Sequence, residues 1–596
     1  MSKKRILGAI TLASVLVFGL AACGGGNKGG GNKATETEDI SKMPIAVKND
    51  KKVIDGGTLD VAVVMDTQFQ GLFQQEFYQD NYDAQYMLPT VQPLFNNDAD
   101  FKIVDGGPAD LKLDEDANTA TIKLRDNLKW SDGKDVTADD VIFSYEAYEV
   151  IGHKDYTGIR YDDNFTNIVG MEDYHDGKSP TISGIEKVND KEVKITYKEV
   201  HPGMQQLGGG VWGSVLPKHA FEGIAVKDME SSDAVRKNPV TIGPYYMSNI
   251  VTGESVEYLP NEYYYGGKPK LDKLVFKSVP SASIVEAMKA KQYDIALSMP
   301  TDTYPTYKDT EGYQILGRPE QAYTYIGFKM GTFDKETNTV KYNPKAKMAD
   351  KSLRQAMGYA IDNDAVGQKF YNGLRTGATT LIPPVFKSLH DSEAKGYTLD
   401  LDKAKKLLDD AGYKDVDGDG IREDKEGKPL EIKFASMSGG ETAQPLADYY
   451  VQQWKEIGLN VTYTTGRLID FQAFYDKLKN DDPEVDIYQG AWGTGSDPSP
   501  TGLYGPNSAF NYTRFESEEN TKLLDAIDSK ASFDEEKRKK AFYDWQEYAI
   551  DEAFVIPTLY RNEVLPVNDR VVDFTWAVDT KDNPWATVGV TADSRK

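Results

Sequence analysis

Cysteine is nearly absent. The 596-residue chain holds one, Cys23, so no disulfide can close within it and no cysteine-based metal cluster can be built. Histidine is scarce too: His153, His175, His201, His219 and His390 are scattered, none in the H-E-x-x-H spacing of a zinc hydrolase. No G-x-S-x-G nucleophile elbow is present. Carboxylates are too many to single out a catalytic pair. The sequence therefore nominates no catalytic centre, and the chain reads as a binding protein rather than an enzyme, with no cofactor. Tryptophan is sparse, at 7, which speaks mildly against a sugar cleft lined with stacked indoles. Positive charge is in deficit, 69 Lys and Arg against 94 Asp and Glu, for a net charge of -25. Such a surface repels nucleic acid and anionic membranes and draws cationic ligands from a distance.

The cysteine has a telling position. Lys3, Lys4 and Arg5 precede an apolar run from Ile6 to Leu20, and the small residues Ala21 and Ala22 come just before Cys23. A positive start, a short apolar stretch and small residues ahead of a cysteine form a bacterial lipoprotein signal. The thiol of Cys23 takes a diacylglycerol, and cleavage makes Cys23 the new N-terminus. The run is short for a membrane span. Cleavage removes three positive charges and no acid, so -25 becomes -28. The expected location is the outer face of a cell membrane, of Gram-positive type, with the body held by its lipid. No long apolar segment recurs after the signal, and the body is expected to be a monomer.

Residues 24–33, GGGNKGGGNK, form a flexible spacer. The formal G-x-G-x-x-G in it lacks a preceding strand and a following helix, so it is not a nucleotide loop. Thr58 to Val64 reads as the first strand. Thr121 to Leu124 and Glu192 to Tyr197 alternate as strands do. Trp130 to Gly133 is a turn, after which Thr137 caps a helix with Asp140 as the capping-box acid. Leu401, Ala404, Leu408 and Ala411 share a helix face that stops at Gly412. Leu446, Tyr450, Trp454 and Ile457 share another, stopped by Gly458. Leu459 to Tyr463 follows as a strand. The fold class is mixed α/β.

Five segments carry a resemblance. They are IKLRDNLKWSDGKDVTADDVIFSY from Ile122, TIGPYY from Thr241, PNEYYYGGKPKLDKLVFK from Pro260 with YDIA from Tyr293, LRQAMGYAID from Leu353, and DGDGIRE from Asp417. In this order and spacing the chain resembles the large extracytoplasmic solute-binding proteins of family 5, which serve peptide ABC importers. The resemblance implies a two-lobed, periplasmic-binding-protein-like architecture of the large three-domain class, with the ligand cleft between the lobes. By analogy 55–97, 239–322 and 561–596 form lobe I, 98–238 an extra domain packed on it, and 329–555 lobe II. The hinge crossings are 323–328 and 556–560, and 23–54 is linker. The implied partners are oligopeptides and the permease and ATPase subunits of an importer.

The resemblance also implies a site. A closing cleft must satisfy the N–H and C=O groups of a bound peptide, and a strand-like edge does so without reading side chains. In this family the segment after a Trp supplies that edge, here within Gly490 to Pro498, and Ala491 and Gly493 beside Trp492 match the positions whose backbone pairs with the ligand. Many relatives clamp the peptide ammonium with an Asp three positions after the Trp. Here that position is Gly495, and Asp497 is the nearest substitute. Further contacts are expected from Tyr560, from Tyr156 or Tyr161, and from Met65 and Phe69 at the first lobe's rim. Capture of another solute such as an oligosaccharide, or a peptide-signal receptor without transport, remain open alternatives. Asp415, Asp417 and Asp419 with Glu426 fit the calcium-loop spacing, yet Arg422 and the Gly427-Lys428-Pro429 run suit a plain acidic turn better. No metal is expected.

Overall fold

The computed structural model describes residues 42–78, 80–147, 161, 163–579 and 583–595. Cys23 and Tyr156 lie outside the described residues. Among the described residues no helix is long and apolar enough to cross a membrane.

The body is organised by one eleven-stranded sheet. Its strands run in the order Asn460–Tyr463, Glu431–Ala435, Ile487–Gly493, Tyr313–Phe328, Val555–Asn568, Ile295–Leu297, Thr58–Val64, Lys273–Val279, Ser255–Pro260 and Tyr245–Val251. Arg375–Gly377 pairs beside Val555–Asn568, off this path. Thr58–Val64 is parallel to both of its neighbours and its burial is almost continuous, as a strand covered on both faces requires.

Three large cores hang from this frame. Leu59, Val61, Phe276, Leu274 and Leu565 anchor the first, around the Thr58–Val64 end of the sheet. Tyr325, Phe434, Trp454, Ile487 and Trp545 belong to the second, at the other end. The third lies under a separate antiparallel sheet of Ala109–Asp114, Thr119–Leu124, Glu192–Thr196 and Ile185–Asn189, with Ile122, Val193 and Trp130 fully buried. The first two cores mark the two lobes, and the separate sheet with the third is set on the first lobe by contacts such as Trp212 Nε1 to Glu76 Oε1 at 3.1 Å.

Local signals explain the elements. Thr137 Oγ1 and the Thr137 N–H both donate to Asp140 Oδ2, at 3.0 and 2.8 Å, and open the helix Ala138–Ala147. The other Asp140 oxygen accepts from the Lys218 N–H at 3.0 Å, tying that helix start to the neighbouring loop. The helix Leu401–Ala411 ends on Gly412, whose φ of 97° needs no Cβ. The helix Ala443–Glu456 starts two residues later than the Glu441 suggested by its periodicity.

Two strands join the halves. Tyr313–Phe328 has 16 residues and Val555–Asn568 has 14, and they pair antiparallel along nearly their whole length. The expected crossings, 323–328 and 556–560, lie inside these strands on the second-lobe side. The pairing itself breaks between Pro319 and Tyr323. The strand tolerates Pro319 at the edge of a bulge, where a missing N–H is not needed.

Candidate functional site

The strand Ile487–Gly493 has two unlike edges. One pairs with Tyr313–Phe328 from Ile487 to Gly493. The other pairs with Glu431–Ala435 only at Ile487 and Tyr488. From Gln489 onward no strand among the described residues lies beside that second edge. The Thr494 N–H donates to Gln321 O at 2.9 Å, so residue 494 faces the hinge strand. Strand alternation then turns Gly490 and Trp492 the same way, and turns the N–H and C=O of Ala491 and Gly493 to the open edge. Ala491 is half-buried and Gly493 exposed, and a Cβ at Gly493 would meet only Gln321 O, at 3.8 Å. Another backbone can approach closely there.

An aromatic group flanks this edge. Trp492 lies over Tyr512 and Tyr325, with ring centroids 5.7 and 6.4 Å apart, and meets Phe510 edge-on at 5.8 Å. Tyr475 joins Tyr512 to Phe471. Phe471 and Phe510 are 66% and 53% exposed, unusual for rings of this size. The Trp492 side chain is thus a wall of the second lobe, and the backbone beside it is the open group.

Gly495, at the position of the ammonium clamp, has φ of 67° and offers no carboxylate; its C=O accepts from Gln321 Nε2 at 2.6 Å. Asp497 is no substitute. Its Oδ1 accepts from Arg538 Nη2 at 3.0 Å and from the Ser499 N–H at 3.1 Å. The same Arg538 nitrogen reaches Gln206 Oε1, in the separate domain, at 2.8 Å. Asp497 therefore works in a bridge between the halves. Burial and the nearby Asp497 charge push the neighbouring Asp528 carboxyl upward, against hydrogen bonds from Thr501 and Ser499.

Other contacts close the same seam. Phe101 packs on Phe386, Lys102 pairs with Glu535, and Lys530 Nζ donates to Glu115 O at 2.7 Å. Nearer the hinge, Asn372 Nδ2 donates to Asp302 O at 3.0 Å. None of these partners was visible in the sequence, because each joins residues more than 40 positions apart; the bare charge of Lys102 or Arg538 says nothing of its mate.

Four expected contact residues are elsewhere. Met65 and Phe69 are 4% and 2% exposed and belong to the first lobe's core, where Phe69 meets Tyr86 at a tilt with centroids 4.4 Å apart. The chain after the first strand folds back on the sheet, and apolar side chains bury there instead of lining a rim. Tyr560 is also core. Its hydroxyl accepts from the Thr380 N–H at 2.9 Å and donates to Thr380 O at 3.0 Å, which leaves little for a ligand. Tyr161 packs on the separate domain's core and stacks on His175 at 4.1 Å; burial raises its phenol to about 12.

In the acidic loop, Asp415, Asp417 and Asp419 bring one oxygen each within 4.8 Å of one another, all exposed. Glu426 does not join them. The carboxylates are spent on turns: Asp415 accepts from Gly418 and Gly420, and Asp419 from Ile421. Arg422 points away, to Asp409 Oδ1 at 2.5 Å and the carbonyls of Tyr413 and Ile457. The loop is accounted for as a turn before Glu431–Ala435.

Residues 106–514 match the bacterial extracellular solute-binding proteins, family 5 middle region. The oligopeptide-binding protein OppA of Lactococcus lactis subsp. cremoris is 39% identical over 506 residues, 84% of each chain. The oligopeptide-binding protein AppA of Bacillus subtilis is 25% identical over 565 residues, 93% of each. The solved structure of lactococcal OppA, complexed with an endogenous peptide in the closed conformation, superposes with a TM-score of 0.77 at 38% identity, covering 90% of this chain and 100% of that one. The chain belongs to the family 5 extracellular solute-binding proteins, and its fold is the two-lobed binding-protein fold. These relatives are solute-binding proteins, and no catalytic activity is indicated among them.

Proposed function

We propose that this chain is an oligopeptide receptor, anchored outside the cell membrane by a lipid on Cys23, that delivers peptides to an ABC importer. The observation that carries the reading is the open edge at Ala491 and Gly493. An extended peptide laid there gains main-chain partners at alternate residues. Each N–H or C=O left unpaired in a closed cleft would cost about 1–3 kcal/mol. Lobe I with its extra domain, 55–322 and the tail, and lobe II, 329–555, close over the ligand about the paired strands Tyr313–Phe328 and Val555–Asn568. Closure follows from differential affinity, since the shut form touches the ligand from both sides. The similarity to lactococcal OppA supports the same assignment.

The test is calorimetry with extended peptides of about five to nine residues and with copies N-methylated at single positions. Methylation at alternate positions should weaken binding about tenfold or more, and at the intervening positions far less. A uniform response, or no peptide binding at all, would overturn the reading. Mass spectrometry of what co-purifies with the native protein separates peptide from glycan. Metabolic labelling with a fatty acid, lost in Cys23→Ser, tests the anchor.

A further inference from the structure

The hinge strand Tyr313–Phe328 changes partners at one point. Its ladder with Val555–Asn568 lapses between Pro319 and Tyr323, and its ladder with Ile487–Gly493 begins at Ala322, opposite Gly493. Side chains take over where the ladder lapses. Arg318 Nε pairs with Glu563 Oε1 at 2.5 Å and Glu320 Oε2 with Arg561 Nη2 at 3.2 Å, so both reach the neighbouring hinge strand. Gln321 reaches the other way. Its carbonyl accepts from the Thr494 N–H at 2.9 Å and from Thr494 Oγ1 at 3.3 Å. Its Nε2 donates to Gly495 O at 2.6 Å and to Ser496 Oγ at 3.4 Å.

One residue thus holds all three that follow the open edge. Among the described residues no other residue outside this turn is hydrogen-bonded to 494–496. The stretch needs such a hold. Gly493 is exposed, and Gly495 has φ of 67° with open space where a Cβ would stand, so neither is fixed by packing. Glycine backbone is the freest in the chain, and ordering it on binding costs affinity. Tying it down beforehand removes that cost. Gln321 itself is half-buried and sits on the irregular step, so it passes any change of the step on to the edge.

We propose that Gln321 is a positioning residue for peptide binding: from the irregular step of the hinge strand it fixes the Gly493 end of the open edge in the register that an extended ligand pairs with. The inference rests on the oligopeptide reading above and adds to it the residue that sets the edge. Gln321 acts through the backbone of residues 493–496 and needs no contact of its own with the ligand.

The experiment is calorimetry on wild type, Gln321→Met and Gln321→Lys, with one extended peptide and its copies N-methylated at single positions. Met keeps the length of the side chain and removes its donor; Lys keeps a donor on a similar stem. In wild type, methylation at alternate positions should cost about tenfold each. In Gln321→Met the unmethylated peptide should bind about tenfold more weakly. One sensitive position, opposite Gly493, should fall to a cost of about twofold, while the one opposite Ala491 keeps its own. Gln321→Lys should restore part of both the affinity and the lost sensitivity. Uniform weakening with the alternation intact, or no change in either, overturns the positioning role while the peptide reading stands. A flat wild-type series, or no binding by wild type, overturns the reading beneath it. Thermal melting of the ligand-free variants separates local from global damage: a lower melting point with the alternation intact counts against the proposal.

Discussion

The rings of Phe101 and Phe386 lie 5.4 Å apart across the seam between the two halves. Phe101 sits in the left-handed region, φ 63°, and is 5% exposed, packed with the second lobe's core although its chain neighbour Ile103 packs on the separate domain's core. A bulky residue held in that conformation needs strong compensation, and the contact with Phe386 supplies it only when the halves meet. Phe101→Ala should therefore weaken peptide affinity about tenfold to a hundredfold, mostly by faster dissociation, and hardly change melting of the ligand-free protein. Stopped-flow release of a labelled peptide and a thermal scan read the two effects. A large drop in ligand-free melting with unaltered release would place Phe101 in a permanent core instead.

Asp481 holds two buried cations, Lys329 and Arg514 Nε, the latter at 2.8 Å. Burial would raise its carboxyl, yet attraction and hydrogen bonds from these partners outweigh that and hold it below the ordinary carboxylate range. The stabilisation is thus present above that range and fades as pH falls through the depressed value. Asp481→Asn should cost about 3–5 kcal/mol at neutral pH, because it strands both cations. It should also flatten acid unfolding of the second lobe, checked by urea melts at pH 7 and below 4.

Asp294 is fully buried and gathers the C-terminal tail. Arg570 grips both its oxygens at 2.7 Å, and Arg595 Nε reaches it at 2.9 Å. Asp294→Asn should release the segment from about residue 591 onward and lower stability by about 3–5 kcal/mol. Limited proteolysis, watching for early trimming of the tail, is the measurement. An intact tail in that variant would mean that Arg570 and Asp60 suffice.

The clamp position beside Trp492 holds Gly495, and Asp497 is committed to Arg538. N-acetylated and free peptides should bind within about threefold of each other, and affinity should not peak sharply at one length. Calorimetry over a length series decides it.

At a net -25, cationic peptides should associate faster than anionic ones of equal length, and about 0.15 M salt should narrow the gap. Equal association rates at low ionic strength would remove this effect.

Much of the architecture was readable because its signals are local. Thr137 and Asp140 sit three residues apart, Gly412 and Gly458 mark helix ends, and the valines of 58–64 announce a strand. The open edge at Ala491 and Gly493 came from family likeness, and the geometry then gave it a reason: Glu431–Ala435 stops too soon to cover it. What escaped was decided by distant packing. Met65, Phe69 and Tyr560 have the residue types of a ligand wall, but only the tertiary fold says whether a ring faces the cleft or the core.

Both halves are sewn into the same continuous sheet, with no free linker between them. Their ladder is irregular from Pro319 to Tyr323 and again at Thr324 to Tyr325. Under the receptor reading proposed above, a movement confined to this short stretch would keep each half rigid. A partner docking on the shut form would then meet one shape whatever peptide lies inside.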